Sequence, residues 1–101
     1  MAGGNRAQAG MVMETHEARI KRMTMRSWRR GTKEMDLILG PYADAYIAQM
    51  DEDALTLYDG LLEENDQDLL AMILGQQKML PQFAKLLAEI EKFARGRLAK
   101  A

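Results

Sequence analysis

Apolar residues recur at spacings of three and four along almost the whole chain, and no stretch alternates Val, Ile, Thr and aromatic residues as a strand would. The pattern predicts an all-α fold, a compact bundle of about five short helices. A first helix is expected over roughly residues 15 to 29, with Ile20, Met23, Thr24, Ser27 and Trp28 on one stripe and Arg19, Lys21, Arg22, Arg26 and Arg29 around the rest. Gly31 ends it, because glycine takes the left-handed conformation of a helix C-terminus without steric cost, and Thr32 can cap the next helix. That second helix turns Met35, Leu37, Ile38 and Leu39 toward a core. At Gly40-Pro41 a proline without an N–H is expected to kink or break it and to start a fresh first turn. Tyr42, Ala45, Tyr46 and Ile47 continue a helical face to Met50.

Asp51 is a good N-cap, with Glu52 and Asp53 well placed against the helix dipole, and opens a third helix over about residues 52 to 64. Its stripe is Leu55, Tyr58, Leu61 and Leu62. Asp66 is expected to cap a short fourth helix carrying Leu69, Leu70, Met72, Ile73 and Leu74. A last helix runs from Pro81 to about Lys100, with Phe83, Leu86, Leu87, Ile90 and Phe93 inward. Residues 1–13 are small and polar with three glycines, and read as a disordered N-terminal arm before a helical bundle domain over residues 14–101.

A chain of 101 residues suits one modest core and a small adaptor better than a deep private active site. The absence of cysteine excludes disulfides, thiolate metal sites and cysteine nucleophiles. No apolar run approaches the roughly 20 residues of a membrane span, and the start lacks a secretory apolar stretch. The acid-free start with Arg6 faintly echoes an organelle transit peptide, but it is short and carries no amphipathic face, so the sequence reads as soluble and cytoplasmic. The single histidine, His16, has no partner with which to build a metal site, and the clustered carboxylates sit where capping explains them. The expectation is a protein that is not an enzyme, with no metal and no tightly bound cofactor.

The net charge of −1 conceals segregation. Residues 14 to 35 hold seven Lys/Arg against three Glu; residues 36 to 68 hold ten Asp/Glu and no Lys/Arg; residues 69 to 101 hold six Lys/Arg against two Glu. Either basic and acidic helices pack side by side and lower the molecule's own field, or one surface steers a charged partner.

Between the first two helices stands Arg30-Gly31-Thr32-Lys33-Glu34, preceded by Arg26-Ser27-Trp28-Arg29 and followed by Met35-Asp36 and the apolar run Leu37-Ile38-Leu39. In purely structural terms this is a helix-ending glycine with an Arg30 to Glu34 ion pair, worth a few tenths of a kcal/mol if exposed. In functional terms Arg30 offers a planar fork, Gly31 a close backbone approach, Glu34 an acceptor and Trp28 an aromatic anchor for a partner's cleft.

This turn resembles that of the succinate dehydrogenase flavinylation and assembly factors, the SdhE-like family, whose hallmark is an Arg-Gly-x-x-Glu motif (RGxxE) followed by an acidic residue and an apolar run. Arg30, Gly31, Glu34, Asp36 and Leu37 to Leu39 match it, and Leu61-Leu62-Glu63 with Asp66-Gln67-Asp68-Leu69 resembles a second stretch of that family. Gln67 and Met72 depart from the proline and tryptophan that many members carry there. The resemblance implies a chaperone-like helper that binds the flavoprotein subunit of succinate dehydrogenase, and in some bacteria fumarate reductase. It implies that the helper promotes covalent attachment of FAD to a histidine of that client through the flavin's 8α carbon. It further implies partner contacts by Arg30, Gly31 and Glu34, extended by Trp28, Arg29 and Asp36, in a transient complex of a monomer with its client. The alternative from another class is a helical nucleic-acid-binding module that uses the basic first helix, although the second helix that would enter the groove is acidic and apolar.

Overall fold

A computed structural model describes the backbone of residues 14–100 and side chains through residue 97; the expected arm over residues 1–13 lies outside the described residues. Every regular element among the described residues is helical: α1 (His16–Trp28), α2 (Lys33–Tyr46), α3 (Glu52–Leu61), α4 (Asp66–Ile73) and α5 (Ala84–Lys100), with short 3-10 turns at Ile47–Gln49 and Pro81–Phe83. None of these helices is long and apolar enough to cross a membrane.

The helix starts are set by local chemistry. Side-chain oxygens of Thr15, Thr32, Asp51 and Asn65 each accept a first-turn N–H that has no partner within its helix. At α4 the cap differs from the sequence expectation by one residue. Asn65, not Asp66, accepts from the backbone N–H of Gln67 and Asp68, at 2.8 and 3.3 Å. Asp66 becomes the first helical residue and its carboxylate is free for another partner.

Pro41 neither breaks α2 nor starts a new helix, because the helix continues through it to Tyr46. The missing N–H deprives only the carbonyl of Leu37, four residues earlier, and Leu37 is 53% exposed, so water can serve that carbonyl. Leu37 is therefore not a core residue. Leu74, just past the end of α4, is 58% exposed.

The core is one contiguous cluster drawn from all five helices, with Met23, Met35, Leu39, Leu55, Tyr58, Leu61, Leu69, Leu87 and Ile90 fully enclosed. Ser27 is the buried polar residue, and its hydroxyl is satisfied twice, by the carbonyl of Met23 at 2.8 Å and by the Tyr58 hydroxyl at 2.7 Å. Burial, partly offset by that hydrogen bond, pushes the Tyr58 phenol up to about 12.

Outside the core, α1 and α3 lie side by side in the same direction, joined by a ladder of charges. Arg19 donates to Glu52 at 2.9 Å and to Thr56, Arg22 holds Asp59 through two bonds of 3.1 and 2.8 Å, and Arg26 reaches Glu63 at 2.8 Å. Part of the charge segregation along the first two-thirds of the chain is thus mutual neutralisation.

Candidate functional site

The ladder ends on the turn between α1 and α2. Gly31 sits there at φ +110°, a conformation that side chains rarely adopt, and this lets the chain reverse directly from one helix into the next. Among the described residues, the only atom near a Cβ placed on Gly31 would be an Asp66 oxygen at 4.0 Å, so the position is spatially open and conformationally demanding.

Arg30 does not form the expected ion pair with Glu34. Its side chain is only 8% exposed and is directed away from the turn's tip, into the α3–α4 connection. There Nε donates to Asp66 at 2.6 Å, one terminal nitrogen to the Leu62 carbonyl at 2.6 Å, and the other to the Glu64 carbonyl at 2.7 Å. Carbonyls just beyond a helix C-terminus lack helical partners and lie at its negative end, so a planar cation fills both deficits at once. Arg26 adds a bond to the same Leu62 carbonyl at 3.0 Å. The two sequence stretches that carry the resemblance, residues 26 to 39 and 61 to 69, are therefore stitched into one structural unit.

Two further contacts fix the turn. The Asp36 carboxylate accepts the Arg30 backbone N–H at 2.6 Å, so this half-buried acid braces the turn from within. The Trp28 indole lies over Gly40, where an added Cβ would stand 2.3 Å from the nearest ring carbon, and its N–H is shared between both Asp44 oxygens at 3.2 and 3.3 Å. Glycine in mid-helix ordinarily weakens the helix; at residue 40 it provides the flat seat that the indole occupies.

With Arg30, Asp36 and part of Trp28 engaged internally, the face turned to solvent consists of Arg29, Gly31, Lys33, Glu34 and Leu37, edged by the 38% of Trp28 that stays exposed. Leu37 stands on this exposed face, whereas sequence reasoning places it in the core. The large enclosed side chains of α2, Met35, Leu39 and Tyr42, recur at spacings of four and three, a stripe that Leu37 falls outside, although Gly40 and Pro41 on its own side are also buried. The result is a small polar knuckle with one apolar side chain, held rigidly by buried supports and suited to another molecule's cleft. Of the basic residues on which the nucleic-acid alternative draws, Arg19, Arg22, Arg26 and Arg30 are committed to acids and carbonyls of the same chain.

Comparison with known proteins places this geometry in context. Residues 21–94, which span α1 to most of α5, match a protein family described as flavinator of succinate dehydrogenase. Among curated proteins, the chain is 44% identical over 62 residues to a Penicillium rubens protein, covering 61% of this chain and 19% of that one. It is 33% identical over 76 residues to one from Drosophila grimshawi (73% and 52%), and 28% identical over 95 residues to one from Schizosaccharomyces pombe (92% and 68%). All three are named succinate dehydrogenase assembly factor 2, mitochondrial. The chain thus spans from about a fifth to about two-thirds of the length of these relatives. Their names overturn the expectation of a cytoplasmic location and point to the mitochondrion instead.

Proposed function

Because this chain belongs to the family of succinate dehydrogenase flavinators, we propose that it binds the flavoprotein subunit of succinate dehydrogenase and promotes covalent attachment of FAD to that subunit. The observation that carries the reading is the division of labour at the knuckle: Arg30, Asp36 and Gly40 build it from inside, while Gly31, Glu34 and Leu37 are left facing outward. Rigid presentation of a few side chains lowers the ordering cost of association and favours a defined pose.

In this reading the bond between histidine and flavin forms within the client, and FAD is the group acted on there rather than a resident of this chain. The helper's contribution is orientation: it holds the immature flavoprotein so that the reacting atoms face each other, an effect that can supply several kcal/mol of barrier lowering. Glu34 accepts a client donor, Gly31 lets client backbone come close, and Leu37 with the exposed edge of Trp28 fills an apolar recess. Arg29 and Lys33 complement acidic groups around them. Arg30 and Asp36 act through the shape of the turn.

The test is equilibrium binding of the purified chain to the flavin-free flavoprotein subunit. Wild type is expected to bind, and Glu34→Ala and Leu37→Ala each to weaken binding about tenfold, the ~1.4 kcal/mol expected of a central interface residue. No binding by the wild type, or undiminished binding by both variants, contradicts the proposal.

A further inference from the structure

The ion pairs engage Arg19, Arg22, Arg26 and Arg30 of the first basic segment, whereas most cations of the last one have no such partner among the described residues. On α5, Arg95 pairs with Glu91, while Lys85, Lys92 and Arg97 form no ion pair among the described residues. These three cations border an open groove of about 920 Å³ whose walls come from α5, the end of α2 and the start of α3. The α5 wall is one helical face, Lys85, Leu86, Glu89, Lys92, Phe93 and Arg97, recurring at spacings of three and four. At 1.5 Å per residue it extends about 18 Å, the length of roughly three helical turns.

Facing it are Tyr46 and Leu57, 43% and 39% exposed, which the core does not enclose. The aromatic wall is preformed: Phe93 meets Tyr42 and Tyr46 edge-on, at centroid distances of 5.7 and 5.4 Å. Gly96 leaves a gap in the α5 wall, with no atom of the described residues within 4 Å of a Cβ placed there.

We propose that this groove is a second docking surface, separate from the knuckle, that receives an acidic amphipathic helix of a protein partner. The groove's length and apolar walls fit the helix-in-groove mode of recognition, in which anchors one and two turns apart enter an apolar channel. Three cations against the single Glu89 select an occupant with acidic flanks, and electrostatic complementarity of this kind sets specificity and approach rate. Two occupants from this chain itself are disfavoured on charge. Residues 1–13 carry Arg6 and no acid, and the acidic helix α3 of a second copy already holds the arginines of its own α1.

The probe is a short synthetic helical peptide of glutamate and leucine with one tryptophan, titrated into the isotopically labelled full chain and followed by backbone amide shifts. Shifts are expected at Tyr46, Leu57 and Phe93, with a lysine-for-glutamate control peptide binding at least tenfold more weakly. Lys92→Glu and Arg97→Glu should each weaken binding several-fold. Gly96→Phe, placed where space is open, should block it while the amide spectrum stays folded. Gly31→Arg and Glu34→Ala should leave peptide binding unchanged, which separates this surface from the knuckle. Equal binding of both peptides, absence of groove shifts, larger groove shifts with anionic phospholipid vesicles, or a dimer of the protein alone that Gly96→Phe abolishes would each overturn the proposal.

Discussion

At the scale of single residues, the arginine of the motif and the glutamate four positions later stand in different environments. Arg30 is nearly enclosed and grips one carboxylate and two carbonyls, with Asp66 itself only 13% exposed. Breaking such a pair leaves the buried partner uncompensated, so Arg30→Met is expected to cost roughly 3 kcal/mol, whereas Glu34→Ala at an exposed position should stay within about 0.5 kcal/mol. Denaturant unfolding of the two variants checks this contrast, and equal stability would show that the Arg30 contacts matter little. Gly40→Ala forces the indole off its seat; it should lower stability by about 1–3 kcal/mol and shift Trp28 fluorescence to the red as the ring loses Asp44 and meets water. The exposure of Glu34 was legible in the sequence, whereas the internal contacts of Arg30 and the indole seat at Gly40 were not. Arg30's partners lie 32 to 36 positions away, and no local rule distinguishes a fork that reaches across the molecule from one that faces solvent.

At the scale of elements, the sequence was far more informative. Periodicity located all five helices, and the Thr32 and Asp51 caps stand where the rules for orphan N–H groups put them. The misses were of two kinds. The local penalty of Pro41 predicts a break, while the tertiary packing of Tyr42, Ala43 and Ile47 holds the helix together beyond it. Asn65 and Asp66 are both competent caps, and what separates them is Arg30, which claims Asp66. The ladder between α1 and α3 gives these elements a pH response. Hydrogen bonds from Arg22 hold the Asp59 carboxyl below its ordinary value of 3.8, with charge from Arg22, Arg19 and Arg26 acting in the same direction against desolvation. A lowered folded-state value means that the contribution is complete above the unfolded-state value and is lost as pH falls through the folded one. Melting temperature should therefore fall steeply below about pH 4, and Asp59→Asn should flatten that acid limb while costing about 0.5–1 kcal/mol near neutrality. An unchanged acid limb in Asp59→Asn would assign the pH response to other groups.

At the scale of the whole molecule, pairing of Arg19, Arg22, Arg26 and Arg30 with α3 and α4 engages four of the seven basic residues between positions 14 and 35, and two surfaces keep unanswered chemistry: the knuckle at the start of α2 and the groove near its end. Both are held by the same helix, whose N-terminal turn presents Glu34 and Leu37 and whose C-terminal turn presents Tyr46. Family membership bears on the function as a whole, and the buried supports of the turn explain how so short a motif can present a fixed shape. The most direct test of that account is covalent flavin on the client, read by in-gel fluorescence after co-expression of the succinate dehydrogenase flavoprotein subunit with this chain. Wild type should label the client fully, while Gly31→Arg, and Glu34→Ala with its stability intact, should reduce labelling about tenfold or more, toward the level without any helper. Full labelling with both variants would contradict the claim that the outward face of this turn does the work.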